Sequence, residues 1–256
     1  MQYNYHTHTC RCNHAVGEER EYIENAIKTG IKVLGFSDHS PMIFSGNYYS
    51  TFRMTPSQTE DYIKVLTDLK REYESDIKIR IGFEMEYYPS CFERTLEFLS
   101  AYPYEYLILG QHALGDEEGE VYPSHKTSDR DTLVRYTEQV IEGMNTGRFL
   151  YFAHPDLINY SGDNELYRQE MSRLCKCARE LDIPLEINLM GLQRNRNYPN
   201  PEFWRLASEC GCTVTMGIDA HSPKDILSEH IKESGKKIAD ECSITLVQNL
   251  EDRFHE

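Results

Sequence analysis

The chain has 256 residues, 39% apolar and 27% charged, with a formal net charge of −15 at pH 7. That acidity disfavours partners held mainly through phosphate charge, such as duplex DNA or an anionic membrane, because both require a basic face. No apolar run approaches the roughly 18 residues of a membrane-spanning helix, and Met1 to Tyr5 lacks the basic and apolar regions of a signal peptide, so a cytoplasmic protein is expected, with one domain over residues 1–256.

Taken in order, Met1 to Cys10 reads as a strand, and alternation along it puts His6 and His8 on one face, placed to share a metal ion. Gly17 to Thr29 has helical spacing and is stopped by Gly30. The apolar strand Lys32 to Phe36 runs into Ser37-Asp38-His39-Ser40-Pro41. After a loop through Phe52, Thr55 is an expected N-cap and Pro56 a first helical residue, with the helix reaching about Glu74 and Tyr62, Ile63, Leu66 and Leu69 turned inward. Ile77 to Glu86 is strand-like and ends with Glu84 and Glu86 on one face. A helix over Phe92 to Ser100 precedes the strand Tyr106 to His112, and a helix over Asp129 to Asn145 precedes the strand Phe149 to His154. Glu165 to Leu181 is helical and Leu185 to Asn188 extended. Pro201 to Cys210 is helical, Thr213 to Asp219 a strand, and Pro223 to Glu241 the last helix. Ile244 to Val247 reads as a small edge strand, and only Asp252 to Glu256 as a disordered end.

Strands alternating with helices imply parallel βα units, and seven of them favour an α/β barrel over an open sheet. In such barrels active sites form at the C-terminal ends of the strands. The chain concentrates its special residues there: His6, His8, His14, His39, Glu84, His112, His154, Asp219 and His221, leaving His125, His230 and His255 elsewhere. Nine ligands exceed the three that a catalytic zinc usually takes from its protein, so two or three ions are expected. The eight cysteines read as reduced, partly buried thiols. Cys175/Cys177 and Cys210/Cys212 lie in or beside helices, where i and i+2 do not share a face, and only Cys10 and Cys12 lie near the histidine pair.

The ordered set His6-x-His8, His14, Asp38-His39-Ser40, Gly82-Phe83-Glu84, Gly110-Gln111-His112, His154-Pro155-Asp156 and Gly217-Ile218-Asp219-Ala220-His221-Ser222 resembles the PHP superfamily, the polymerase and histidinol phosphatase domains. The resemblance implies a distorted (β/α)7 barrel with a trinuclear metal centre of zinc, manganese or iron. It would place His6, His8, Glu84 and Asp219 on a first ion. Glu84 would bridge to a second ion held also by His112 and His154, while His14, His39 and His221 would hold a third. Asp38 is the expected acceptor beside His39, and Glu84, Asp219 and His221 are the residues expected to carry catalysis.

The histidinol phosphatase branch is the one resembled most, through Glu84-Met85-Glu86-Tyr87, Glu186-Ile187-Asn188 and Ala220-His221-Ser222-Pro223. The departures are Gly-Gln-His in the fourth strand and a longer loop from Gln193 to Pro199; both bear on the substrate rather than the chemistry. The implied reaction is hydrolysis of a small phosphorylated metabolite, L-histidinol phosphate, by a metal-bridging hydroxide. Arg194 or Arg196 would grip the phosphate through the planar guanidinium fork, and Glu86 would line the outer pocket facing a cationic leaving group. Another small phosphoester, such as a nucleotide or sugar phosphate, or a non-catalytic metal-binding role, is the alternative.

Overall fold

In the computed structural model the described residues are 1–119 and 121–254; Glu120, His255 and Glu256 lie outside them, and with them the last two residues of the expected disordered end. The elements are β1 (Tyr3–Asn4), α1 (Glu19–Lys28), β2 (Val33–His39), α2 (Thr59–Glu72), β3 (Lys78–Met85), α3 (Phe92–Leu99), β4 (Tyr106–Leu109), α4 (Arg130–Asn145) and α5 (Asn164–Glu180). They continue as β5 (Leu185–Asn188), α6 (Leu189–Gln193), α7 (Pro201–Glu209), β6 (Val214–Gly217) and α8 (Glu229–Glu241). No helix among the described residues is long and apolar enough to cross a membrane.

All paired strands are parallel. β1 to β4 form one curled sheet in sequence order, a half-barrel, and β5 pairs with β6. The register His39 opposite Glu84 sets the ends of β2 and β3 side by side. Every residue of β2 is buried, as expected for a parallel strand covered on both faces. The strand expected over Phe149 to His154 is reduced to Phe152, which makes isolated bridges to Leu109 and to Leu185, while Thr7 bridges Ala220. The expected edge strand shrinks likewise to one bridge, Leu246 with Val214.

Helix starts follow local chemistry. Asp129 caps α4 by accepting from the Thr132 N–H at 2.8 Å, and Asp163 caps α5 by accepting from the Leu166 N–H at 2.8 Å. The last expected helix divides at Ser228. A capping box between Ser222 and Asp225 winds Pro223–Leu227 as a 3₁₀ turn, and Ser228 then leaves the helical region at ψ 75° before α8 begins. Glu251–Arg253 form a further 3₁₀ turn held by Arg80, whose Nη2 lies 2.6 Å from Glu251 Oε2, so ordered structure extends past Asp252.

The helices cover the outside of the strands with a continuous apolar core that includes Phe36, Leu66, Phe83, Tyr136, Leu174 and Trp204. A second cluster of Tyr5, Val33, Tyr106, Ile108, Tyr151 and Ala153 joins Leu250. Leu66 on α2 is fully buried, so Leu66→Ala is expected to cost about 2–5 kcal/mol, read as a lower urea midpoint with unchanged m-value.

Candidate metal centre

The C-terminal strand ends converge on Glu84, which stands at 1% exposure among five imidazoles. Its Oε2 lies 3.1 Å from His39 Nδ1, 3.5 Å from His8 Nε2 and 3.6 Å from His6 Nε2. Its Oε1 lies 2.7 Å from His154 Nε2 and 3.6 Å from His112 Nε2. Asp219 faces the same pair of rings, with Oδ1 3.1 Å from His8 Nε2 and 3.6 Å from His6 Nε2. Gly110 is required here, because a Cβ at that position would run into the Glu84 carboxylate; Gly217 makes the same allowance for Glu186. His154 and Asp219 both adopt left-handed backbone, φ 76° and 55°. Strain of this kind persists where the surroundings fix it, and it clusters at functional sites.

Five rings have their Nδ1 occupied from behind. His6 donates to Glu186 Oε1 at 2.9 Å, His8 faces Asp38 Oδ1 at 3.3 Å, and His112 donates to Glu86 Oε1 at 2.8 Å. His14 Nδ1 is 2.8 Å from the Cys12 carbonyl and His221 Nδ1 3.0 Å from the Asp219 carbonyl. A donor at Nδ1 fixes the neutral tautomer and leaves the Nε2 lone pair pointing inward, which is how metal-binding imidazoles are oriented. His14 Nε2 and His221 Nε2 then meet at 2.9 Å. Two lone pairs at that distance repel unless a cation or a proton lies between them.

The same demand recurs across the site. His6 Nε2, His8 Nε2, His39 Nδ1, His154 Nδ1, Glu84 Oε1 and Asp219 Oδ1 are all buried without a hydrogen-bond partner. Buried polar atoms are nearly always satisfied, so six orphans in one cluster fit a set of cations. Sets of three ligand atoms close enough to hold one ion include His6/His8/Asp219, His6/Glu84/His154, His8/His39/Glu84 and His14/His39/His221. Imidazole with carboxylate suits zinc, manganese or iron alike.

The electrostatics agree. Burial opposes ionisation of Glu84, yet His112, His39, His6 and His154 hold its carboxyl well below the usual range. Burial would lower His6, but Glu186, Asp219 and Glu84 outweigh it and raise it to about 10. His221 is pushed down to about 3 by burial and by the neighbouring His8. The site favours positive charge between the carboxylates while keeping part of its imidazole set neutral.

Above the cluster lies a cavity of about 340 Å³, reached by His14, His39, Glu84, His112, His154, Asp219 and His221. Its outer wall includes Thr51 and Phe52, Tyr122 and Ser124, and the segment after α6 with Arg194, Arg196, Asn197 and Tyr198.

Residues 4–189 match the PHP domain family. The chain belongs to that family. A probable histidinol-phosphatase of Deinococcus radiodurans is 27% identical over 227 residues, covering 86% of each chain. The histidinol-phosphatase of Lactococcus lactis subsp. lactis is 25% identical over 264 residues, covering 92% of this chain and 91% of its own length. A crystal structure of histidinol phosphate phosphatase from Lactococcus lactis, complexed with zinc, L-histidinol and phosphate, superposes with a TM-score of 0.74 at 19% identity, covering 96% and 95% of the two chains.

This PHP domain brings together all nine residues singled out at the strand ends. Two expected roles are corrected. Asp38 does not serve the His39 ring: Oδ1 faces His8 Nδ1, and Oδ2 accepts from Thr9. Its backbone partner is the His39 N–H, at 2.8 Å. Glu86 does not line the cavity. It is fully buried behind His112 and pairs with Arg53 Nη2 at 2.9 Å, while the same arginine also reaches Glu117. Cys10 is exposed, whereas the Cys12 thiol is buried within reach of His8 and His221.

Glu186 is the residue that sequence reasoning passed over. It was visible only as part of a motif, and its contact with His6 spans 180 residues. Tyr151 Oη at 3.2 Å and Asn188 Nδ2 at 2.9 Å hold its carboxylate in place. Glu186→Leu is expected to weaken metal affinity by about 10–100-fold with unchanged circular dichroism, because an orienting partner is worth that much to a ligand. Titration of the metal-free protein with manganese measures it.

Proposed function

We propose that this PHP protein is a metal-dependent phosphate monoester hydrolase converting L-histidinol phosphate and water to L-histidinol and phosphate. The observation that carries the reading is the cluster of orphaned ligand atoms opening into a cavity whose rim holds two arginines, in a chain whose relatives include histidinol-phosphatases. On this reading the bridges at Thr7, Phe152 and Ala220 complete a distorted (β/α)7 barrel in one domain.

His6, His8, Glu84 and Asp219 would hold one divalent ion. Glu84 would share itself with a second, held also by His112 and His154, and His14, His39 and His221 would hold a third. When bound, such ions lower the pKa of water towards neutrality and offset charge on phosphate oxygens. The Arg194 and Arg196 side chains have no hydrogen-bond or ion-pair partner among the described residues, so their guanidinium forks are free to take the non-bridging oxygens. Glu84 and Asp219, the carboxylates lining the cavity among the described residues, are both held ionised, so neither supplies the leaving-group proton. An ammonium on the leaving group would meet the aromatic side of the cavity wall, where Tyr122 and Tyr198 offer cation–π attraction.

A second reading is another small phosphoester, such as a sugar phosphate or nucleotide. It is favoured by the wall's charge, two arginines with no carboxylate besides the ligands among the described residues. Phosphate release from L-histidinol phosphate, beside a sugar phosphate, a nucleotide and an aryl phosphate, separates the two. Preferred turnover of histidinol phosphate supports the first reading, with Arg194→Ala and Arg196→Ala each raising KM by roughly 10-fold for the loss of one charge-assisted contact. Activity on the other esters alone keeps the metal centre and removes histidinol phosphate as substrate.

A further inference from the structure

Away from the metal centre, three cysteines from two segments far apart in sequence meet in one place. Cys175 lies on the buried side of α5; Cys210 is the residue after α7, and Cys212 follows Gly211 on the way to β6. The Cys175 thiol lies close enough to both Cys210 and Cys212 for each to disfavour its ionisation. Cys212 is tied separately, its thiol 3.2 Å from the Cys175 carbonyl oxygen. Cys175 is fully buried, whereas Cys210 and Cys212 are partly exposed.

The surroundings distinguish Cys210 from its neighbours. The neighbouring Cys175 thiol lowers the Cys210 thiol to about 6; burial and Glu209 oppose this, and Lys176 and Arg179 on α5 add to it. A partly exposed thiol with a donor and cations beside it is the setting of reactive cysteines, and a second thiol in contact gives an oxidised sulfur something to condense with.

We propose that Cys210 is a hydroperoxide-sensitive thiol that condenses with Cys175 into an intrachain disulfide joining α5 to the end of α7. The Cys210 thiolate attacks the outer oxygen of the hydroperoxide, the O–O bond breaks, and the alcohol or water leaves with a proton. The sulfur is thereby oxidised to a sulfenic acid. The Cys175 sulfur then attacks it as the S–O bond breaks; its proton leaves with the hydroxyl as water. The sum is two thiols and one hydroperoxide giving one disulfide, one alcohol or water from the peroxide, and one further water.

The test is to expose the reduced protein to hydrogen peroxide at pH 7, then unfold it, alkylate the remaining thiols and map the peptides. The expected result is a Cys175–Cys210 link with loss of about 2 Da, and oxidation of Cys175 at least roughly tenfold slower in Cys210→Ser. Between pH 7 and 8.5 the wild-type rate should change less than about twofold, since the attacking thiol is already ionised. In Cys175→Ser the sulfenic acid should persist at Cys210 and be captured by dimedone; should that variant fail to fold, Cys210→Ser decides alone. Recovery of both cysteines fully alkylated under conditions that oxidise the exposed Cys10 overturns the proposal. So does a Cys175–Cys212 link forming at the same rate in Cys210→Ser.

Discussion

Glu84→Gln is expected to reduce phosphate release by about a thousandfold or more while leaving the fold intact, because it removes the one carboxylate that faces five of the seven imidazoles. The two oxygens of Glu84 face five imidazoles at 2.7–3.6 Å, two on one oxygen and three on the other. The amide keeps the shape but loses the negative charge and turns one acceptor into a donor aimed at the ring nitrogens. Its metal content, measured on the purified variant, should fall with its turnover. A variant that keeps both full metal content and wild-type turnover would contradict the central place given to this carboxylate.

Stripping metal with a chelator is the second large effect. Activity should vanish and return on adding manganese or zinc, and the melting temperature should drop. An ion at about 1,000 times its dissociation constant stabilises the folded state by about 4 kcal/mol, and for a chain of this size each kcal/mol moves Tm by about 2–4 °C, so a fall of roughly 10 °C is expected. The pH dependence has a definite sign. In the metal-free site His6 is raised to about 10, so it holds its proton at pH 7 and must release it when its lone pair goes to a cation. Metal uptake at pH 7 should therefore acidify an unbuffered solution. Affinity should rise with pH between 7 and 10, where His6 loses that proton. Calorimetry in buffers of different ionisation enthalpy counts the protons released; none at pH 7 would contradict the His6 assignment.

The route to this site could be followed a long way in the sequence. Alternation and helical spacing gave β2, β3, α2, α4, α5 and α7 to within a residue or two at most ends, because these signals are local: an apolar period and a proline at the first turn. The same locality placed His39, Glu84 and Asp219 at or just beyond strand ends, and parallel packing carries those ends to one side of the fold.

The tertiary structure decided what the chain's order cannot express. Phe149 to His154 has a strand's composition but pairs only at Phe152. The Pro223 to Glu241 pattern is helical throughout but is divided at Ser228 by the capping of Asp225. Glu86 has the same alternation as Glu84, yet one reaches the cavity and the other is buried against Arg53 and His112. Asp38 is adjacent to His39 but orients His8, and Glu186 reaches His6 across 180 residues. By itself the sequence determined the kinds of ligand, their order and the strand ends that bear them, since those follow from short-range periodicity. Which ring nitrogen faces inward, and which carboxylate stands behind it, was settled only by side chains distant in sequence packing into one buried volume where each polar atom must find a partner.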